Sequence, residues 1–132
     1  MNCSENVGLD DFLVICLCAE WCGTCRDYHP GFNALASEFP GAQFRWVDIE
    51  EQADEMGDLD IENFPTLLIR RSESIMFFGT MLPHLEHLRR TIETFQEQTS
   101  EQSRDYAGSN PERLEWQVNQ DLRTLCGLHF DD

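Results

Sequence analysis

Apolar residues run unbroken through FLVICLC, from Phe12 to Cys18, and then the pattern changes. A run of strand length without polar interruption suits a strand covered on both faces. Beyond Cys25 the period becomes helical. Phe32, Leu35 and Phe39 share one side, and Phe39, Pro40 and Gly41 mark the end of that helix. A second strand is predicted over 44–49. The stretch 48–62 is dense in acid, and its thin stripe of Ala53, Met56 and Leu59 predicts a short helix. Apolar runs at 66–69 and 75–78, joined by polar residues 70–74, predict a hairpin. Leu82, Leu85, Leu88, Ile92 and Phe95 then trace an amphipathic helix, with Pro83 in its first turn.

Residues 98–109, QTSEQSRDYAGS, turn polar and read as a linker. Asn110, Pro111 and Glu112 form a helix start, with a capping side chain followed by proline. Leu114, Val118, Leu122 and Leu125 repeat at helical spacing, and Gly127 supplies the stop. A strand, helix and strand in succession imply a parallel pair with a right-handed crossover. The later hairpin adds antiparallel strands. The expectation is an α/β sandwich with a mixed sheet, a domain over 1–97, and a polar linker with a C-terminal helix over 98–132 packed on it. An isolated helix of that length is marginal in water without packing, so its stripe is expected to dock on an open sheet face. Trp116 lies off the stripe, at the seam or in solvent. The rival is that the stripe binds a second copy or another protein.

Composition narrows the function. The chain of 132 residues has room for one domain, and its net charge is −16 with no lysine. Such acidity argues against nucleic acid and against anionic membrane as partners. The first residues are polar and acidic, without a positive segment, and FLVICLC is too short to span a bilayer. The default is the cytoplasm, where thiols are kept reduced. Six cysteines there point to catalysis, metal or core packing before a disulfide framework.

Cys22 and Cys25 stand in AEWCGTC, residues 19–25, directly after the first strand. A metal knuckle, a structural disulfide and a redox pair are all open. Cys22 falls where the strand hands over to the helix, and unpaired N–H groups and the helix dipole favour a thiolate there. Cys25 lies one turn further in, shielded, at a distance that suits a disulfide with Cys22. Gly23 and Thr24 allow the tight turn between them. Cys22 would attack a partner disulfide and Cys25 would resolve the mixed disulfide. For a closed zinc site, Cys22, Cys25 and His29 offer too few ligands. Cys16 and Cys18 read as small apolar filler, Cys3 and Cys126 as incidental, and His29 as a surface histidine.

A C-x-x-C in a β-α-β pattern marks a thioredoxin-like redox motif. AEWCGTC resembles the active-site segment of thioredoxins, which normally reads Trp-Cys-Gly-Pro-Cys. Pro30 falls where that family kinks its active-site helix. Phe64, Pro65, Thr66 and Leu67 resemble its Ile-Pro-Thr-Leu segment, and Gly79 matches the glycine after its last strand. The likeness covers about residues 12–98. It implies a thioredoxin-like three-layer sandwich that lacks the usual N-terminal strand and helix and carries an extra C-terminal helix. It also implies a cis bond between Phe64 and Pro65, a backbone edge at Phe64 for an extended substrate segment, and Trp21 as a flat wall beside Cys22. The site residues are then Cys22 and Cys25 for catalysis, with Trp21, Gly23, Thr24, Phe64 and Pro65 for substrate.

The implied function is thiol–disulfide exchange with protein disulfides, with no cofactor. The chain is expected to be a monomer, recharged by a thioredoxin reductase or another electron donor. The alternative is a redox-sensing or catalytically weak interaction module. Departures from the family bear on both. Thr24 replaces a proline, so the redox poise is its own. Cys16 stands where the family has a buried acid, and Trp46 where it has the partnering lysine. Losing a buried negative charge should ease ionisation of nearby thiols. Cys18 replaces an aromatic residue, and Glu20, Asp27 and Glu62 would make the rim acidic.

Overall fold

Strand β1, Phe12–Cys18, is buried along its whole length because it serves two cores at once. Side chains alternate across a strand. Phe12, Val14, Cys16 and Cys18 point into one cluster, while Leu13, Ile15 and Leu17 point into another on the opposite face. The computed structural model describes residues 12–19, 21–56, 59, 61, 63–72 and 74–126. The expected lack of an N-terminal strand and helix falls on residues 1–11, outside the described residues, as do Cys3, Glu20, Glu62 and Gly127.

The remaining strands are β2, Gln43–Asp48, β3, Thr66–Arg71, and β4, Ser74–Thr80. Among the described residues they form, with β1, a four-stranded sheet in the order β2-β1-β3-β4. β1 pairs parallel with β2 and antiparallel with β3, and β3 and β4 make the hairpin. One face carries helix α1, Gly23–Ala36, and helix α3, Leu85–Gln96. Tyr28, Phe32, Leu35, Leu88, Ile92 and Phe95 fill that core. A single turn, α2, Ala53–Met56, precedes the hairpin, and three helices follow α3: α4, Ser100–Ala107, α5, Pro111–Val118, and α6, Gln120–Leu125. Leu122, Leu125 and Cys126 cover the second face, against Ile15, Leu17, Val47, Leu68 and Ile75. This is the α/β sandwich with a mixed sheet read from the sequence, with extra C-terminal helices.

Several boundaries differ from expectation. α1 ends at Ala36, yet Phe39 stays buried. The N–H groups of Ser37, Glu38 and Phe39 reach back three residues, to Ala34, Leu35 and Ala36. That tighter winding turns Phe39 inward. Among the described residues the acidic helix spans Ala53–Met56, and Ala53 in its expected stripe is exposed. α3 starts after an extended His84, so Leu82 and Pro83 precede it and Leu82 lies exposed. Proline pushes the residue before it out of helical conformation.

The stretch expected as a linker is the helix α4. Thr99 and Gln102 form a reciprocal capping box: the Gln102 N–H donates to Thr99 Oγ1 at 3.0 Å, and the Thr99 N–H donates to Gln102 Oε1 at 2.8 Å. Arg71 joins this start to the end of α3. Its buried guanidinium donates to the Gln98 carbonyl and to Ser103 Oγ, both at 2.8 Å, and to the Phe95 carbonyl at 3.1 Å. A cation among the last carbonyls of a helix is favoured by their exposed negative ends.

The tail is two helices rather than one. Asn119 is extended, which breaks the winding, and its Oδ1 accepts the Leu122 N–H at 3.0 Å to start α6. The stripe is therefore split: Leu122 and Leu125 are buried, while Leu114 and Val118 are exposed. Trp116 packs at the edge of the second core, edge-on to Phe77 at 6.2 Å. Gln117 lies along β4 and meets both backbone groups of Ile75. It accepts from the Ile75 N–H at 2.8 Å and donates to the Ile75 carbonyl at 2.7 Å.

Burial of the tail predicts an alkaline limit to stability. Burial pushes the Cys126 thiol up from about 9 to about 11. In the unfolded chain the thiol ionises near its ordinary value. Its contribution is thus whole below about pH 9 and is lost as pH climbs towards 11, at about 1.4 kcal/mol per pH unit. No lysine titrates across this window. Thermal melts of the reduced protein from pH 8 to 11 should fall steeply, and Cys126→Ala should flatten part of the fall. An unchanged slope in that variant would remove the assignment.

Candidate active site

The site forms where β1 ends and α1 begins. After Ala19 the chain makes a turn closed by the Cys22 N–H donating to the Ala19 carbonyl at 3.0 Å. Cys22 is then the N-cap of α1, with extended backbone, and its carbonyl accepts the Arg26 N–H at 3.1 Å. The first turn of α1 holds no acidic residue. The thiol of Cys22 is free and partly exposed at the positive end of the helix. Cys25, one turn on, is fully buried in the core beneath it.

Cys25 is disulfide-bonded to Cys18, the last residue of β1, and not to Cys22. This corrects the reading of Cys18 as inert filler. The end of β1 passes directly under the first turn of α1, with the Cα atoms of Cys18 and Cys25 5.8 Å apart. That separation is the ordinary one for a bridge. Cys16, two residues earlier on the same face, places its Sγ 3.7 Å from that of Cys18. Burial holds the Cys16 thiol far above its usual value, so it remains protonated. Nearby, the buried Tyr28 hydroxyl has no hydrogen-bond partner among the described residues and is likewise pushed up, by burial and then by Cys16.

The motif residues expected to meet substrate gather on the rim. Trp21 is 61% exposed, and its indole N–H donates to Glu50 Oε2 at 2.9 Å. It stands edge-on to Phe64, with ring centres 5.6 Å apart. The Phe64–Pro65 bond is cis. The Pro65 carbonyl is taken by the Met81 N–H at 3.1 Å. Phe64 also packs against the core that holds Cys18 and Cys25, as Cys22 does. Gly23 and Thr24 are exposed on the first turn of α1, and Pro30 lies inside that helix. His29 is not a bare surface histidine: its ring stacks on Trp46 with centres 3.9 Å apart. Both line a cleft of about 200 Å³ that also touches Cys25, Arg26 and Asp48.

Sequence reasoning missed two participants. Glu50, which orients Trp21, carries no signal in the sequence, being one acid among many. Cys18 carried one: it lies two residues from Cys16 in a strand and therefore shares its face, the one covered by α1. No helix among the described residues is long and apolar enough to cross a membrane.

The family model described as Thioredoxin matches residues 2–94. The chain is 33% identical over 76 residues to the "Putative thioredoxin 2" of Streptomyces coelicolor, covering 58% of this chain and 57% of that one. It is 39% identical over 56 residues to a "Thioredoxin H-type" of Oryza sativa, covering 42% of this chain and 46% of the relative. The chain thus spans about half the length of the curated relatives it matches. Among solved structures, the thioredoxin of Fasciola hepatica superposes with a TM-score of 0.53 at 29% identity, covering 70% of this chain and 86% of that one. A mutant thioredoxin of Halobacterium salinarum reaches a TM-score of 0.59 at 23% identity, covering 73% and 85% of the two chains, and shows the shared fold. With the family model matched over residues 2–94, most of its length, this chain belongs to the thioredoxin family.

Proposed function

We propose that the protein is a thiol–disulfide oxidoreductase acting on protein disulfides, with Cys22 as nucleophile and Cys25 as resolving thiol. The observation that carries this reading is a free, partly exposed thiol at the N-cap of α1 with a buried cysteine one turn behind it. Cys22 Sγ attacks an exposed disulfide and forms a mixed disulfide, one substrate sulfur leaving as a thiol. Cys25 then attacks Cys22 Sγ, releasing the substrate as a dithiol. Trp21 and Phe64, edge-on to each other, offer apolar surface at the site, and the exposed Gly23 and Thr24 leave the approach open. The backbone at Phe64 offers an edge for an extended substrate segment. A reductase or a small dithiol would return the pair to its reduced form, in the cytoplasm and with the protein as a monomer.

A second reading, a redox-sensing interaction module, is favoured by the Cys18–Cys25 bond, which occupies the resolving thiol. Insulin reduction driven by dithiothreitol separates the two, since a sensor would not accelerate it. A Cys25→Ser variant should in addition trap substrate through Cys22. Trapping that prefers Cys22→Ser would reverse the roles.

A further inference from the structure

We propose that Cys18 is a second partner for Cys25, so that the oxidised site interconverts between an outer Cys22–Cys25 disulfide and an inner Cys18–Cys25 disulfide. This rests on the oxidoreductase reading for the outer pair, and on the structure for the inner one. Cys25 lies within bonding reach of Cys18 on the strand side, and its place one turn after Cys22 puts it near that thiol on the solvent side. Cys25 is thus bonded to a buried cysteine, and the partly exposed Cys22 stands one turn before it on the same helix start.

The exchange balances within the protein. From the outer disulfide, the Cys18 thiol gives up its proton and its sulfur attacks Cys25 Sγ. The Cys18–Cys25 bond forms as the Cys22–Cys25 bond breaks. The electron pair leaves on Cys22, which takes up the proton. One disulfide and one thiol stand on each side, so no outside oxidant or reductant is consumed. In the return direction the Cys22 thiolate attacks Cys25 Sγ and expels Cys18.

Cys16 belongs to this device. With Cys18 in a disulfide, the hydrogen between the two sulfurs is that of Cys16. The same S–H remains in place to steady the Cys18 thiolate when it leaves. Both sulfurs of the inner bond belong to residues with no solvent exposure. Of the four cysteines described at this site Cys22 alone is partly exposed, so the inner form shields its disulfide while presenting a free thiol. Its reopening must pass through Cys22.

Two measurements test this without a protein substrate. The wild type is oxidised with glutathione disulfide, quenched in acid, alkylated with N-ethylmaleimide in denaturant, and cleaved after Glu20 and Arg26. The expected product joins the Cys18 peptide to Cys25, with maleimide on Cys22. A product holding only the Cys22–Cys25 bond overturns the proposal. Next, the inner disulfide is prepared with diamide and opened with dithiothreitol in the wild type and in Cys22→Ser, serine being a favoured N-cap. Opening should be at least about tenfold slower in the variant; equal rates overturn the exchange. Cys18→Ala provides an independent check. Its oxidised form should carry only the Cys22–Cys25 bond, and its potential should rise by about 30 mV for each tenfold preference of the wild type for the inner bond. An unchanged potential counts against the proposal. Insulin turnover is not used here, so its absence would remove the proposed function and leave the exchange standing.

Discussion

Cys22→Ser is expected to lower dithiothreitol-driven insulin reduction by about a thousandfold while leaving the fold intact. Serine is a good cap for α1, so the helix start survives the change. What disappears is the sulfur. An alcohol at this position stays protonated and is a poor nucleophile towards a disulfide, even at the positive end of a helix. The other cysteines beside it, Cys16, Cys18 and Cys25, have no exposed surface and cannot substitute. Turnover is read by insulin precipitation, and folding by the thermal midpoint, which should move by no more than a degree or two. Residual activity above about a tenth of wild type would show that another thiol makes the attack.

Arg71→Met is expected to cost on the order of 3 kcal/mol, the largest stability effect among single changes outside the apolar core. The aliphatic part of methionine fills the buried space, so the loss isolates the guanidinium. Without it, the Phe95 and Gln98 carbonyls and Ser103 Oγ lose a charged donor in an enclosed place. The joint between α3 and α4 then loosens, and the tail loses its fixed departure point. Urea unfolding at pH 7 measures the change as a shift in midpoint at constant slope. A loss below about 1 kcal/mol would mean that water or neighbouring side chains satisfy those acceptors equally well.

The parts of the molecule legible from sequence are those in which one residue pattern admits one arrangement. The FLVICLC run specified a strand between two cores, because no amphipathic alternative exists for it. The C-x-x-C after that strand located the N-terminus of α1, and the FPTL segment located the cis bond. What escaped depended on distances between elements. Nothing in the order of residues says that the first turn of α1 sits low enough over β1 to join Cys18 to Cys25. The helix α4 escaped for a different reason. Its capping box is written in Thr99 and Gln102, but without an apolar stripe the stretch reads as linker, and its stability comes from Arg71 and from Tyr106 against Phe95. Asn119 falls within the helical spacing of Leu114, Val118, Leu122 and Leu125, yet its side chain competes for the backbone and restarts the winding.

The amide of Gln117 has a bearing on how the molecule behaves in a crowd. Among the described residues β4 is the outer strand of the sheet, and a bare outer strand offers its unpaired backbone to any passing chain in extended form. At Ile75 that offer is withdrawn, since one side chain fills both slots in the way a neighbouring strand would. The tail thus insulates the hairpin against growth by strand addition. If its helices come away under mild stress, the first symptom to look for is self-association along β4, ahead of any loss of the core.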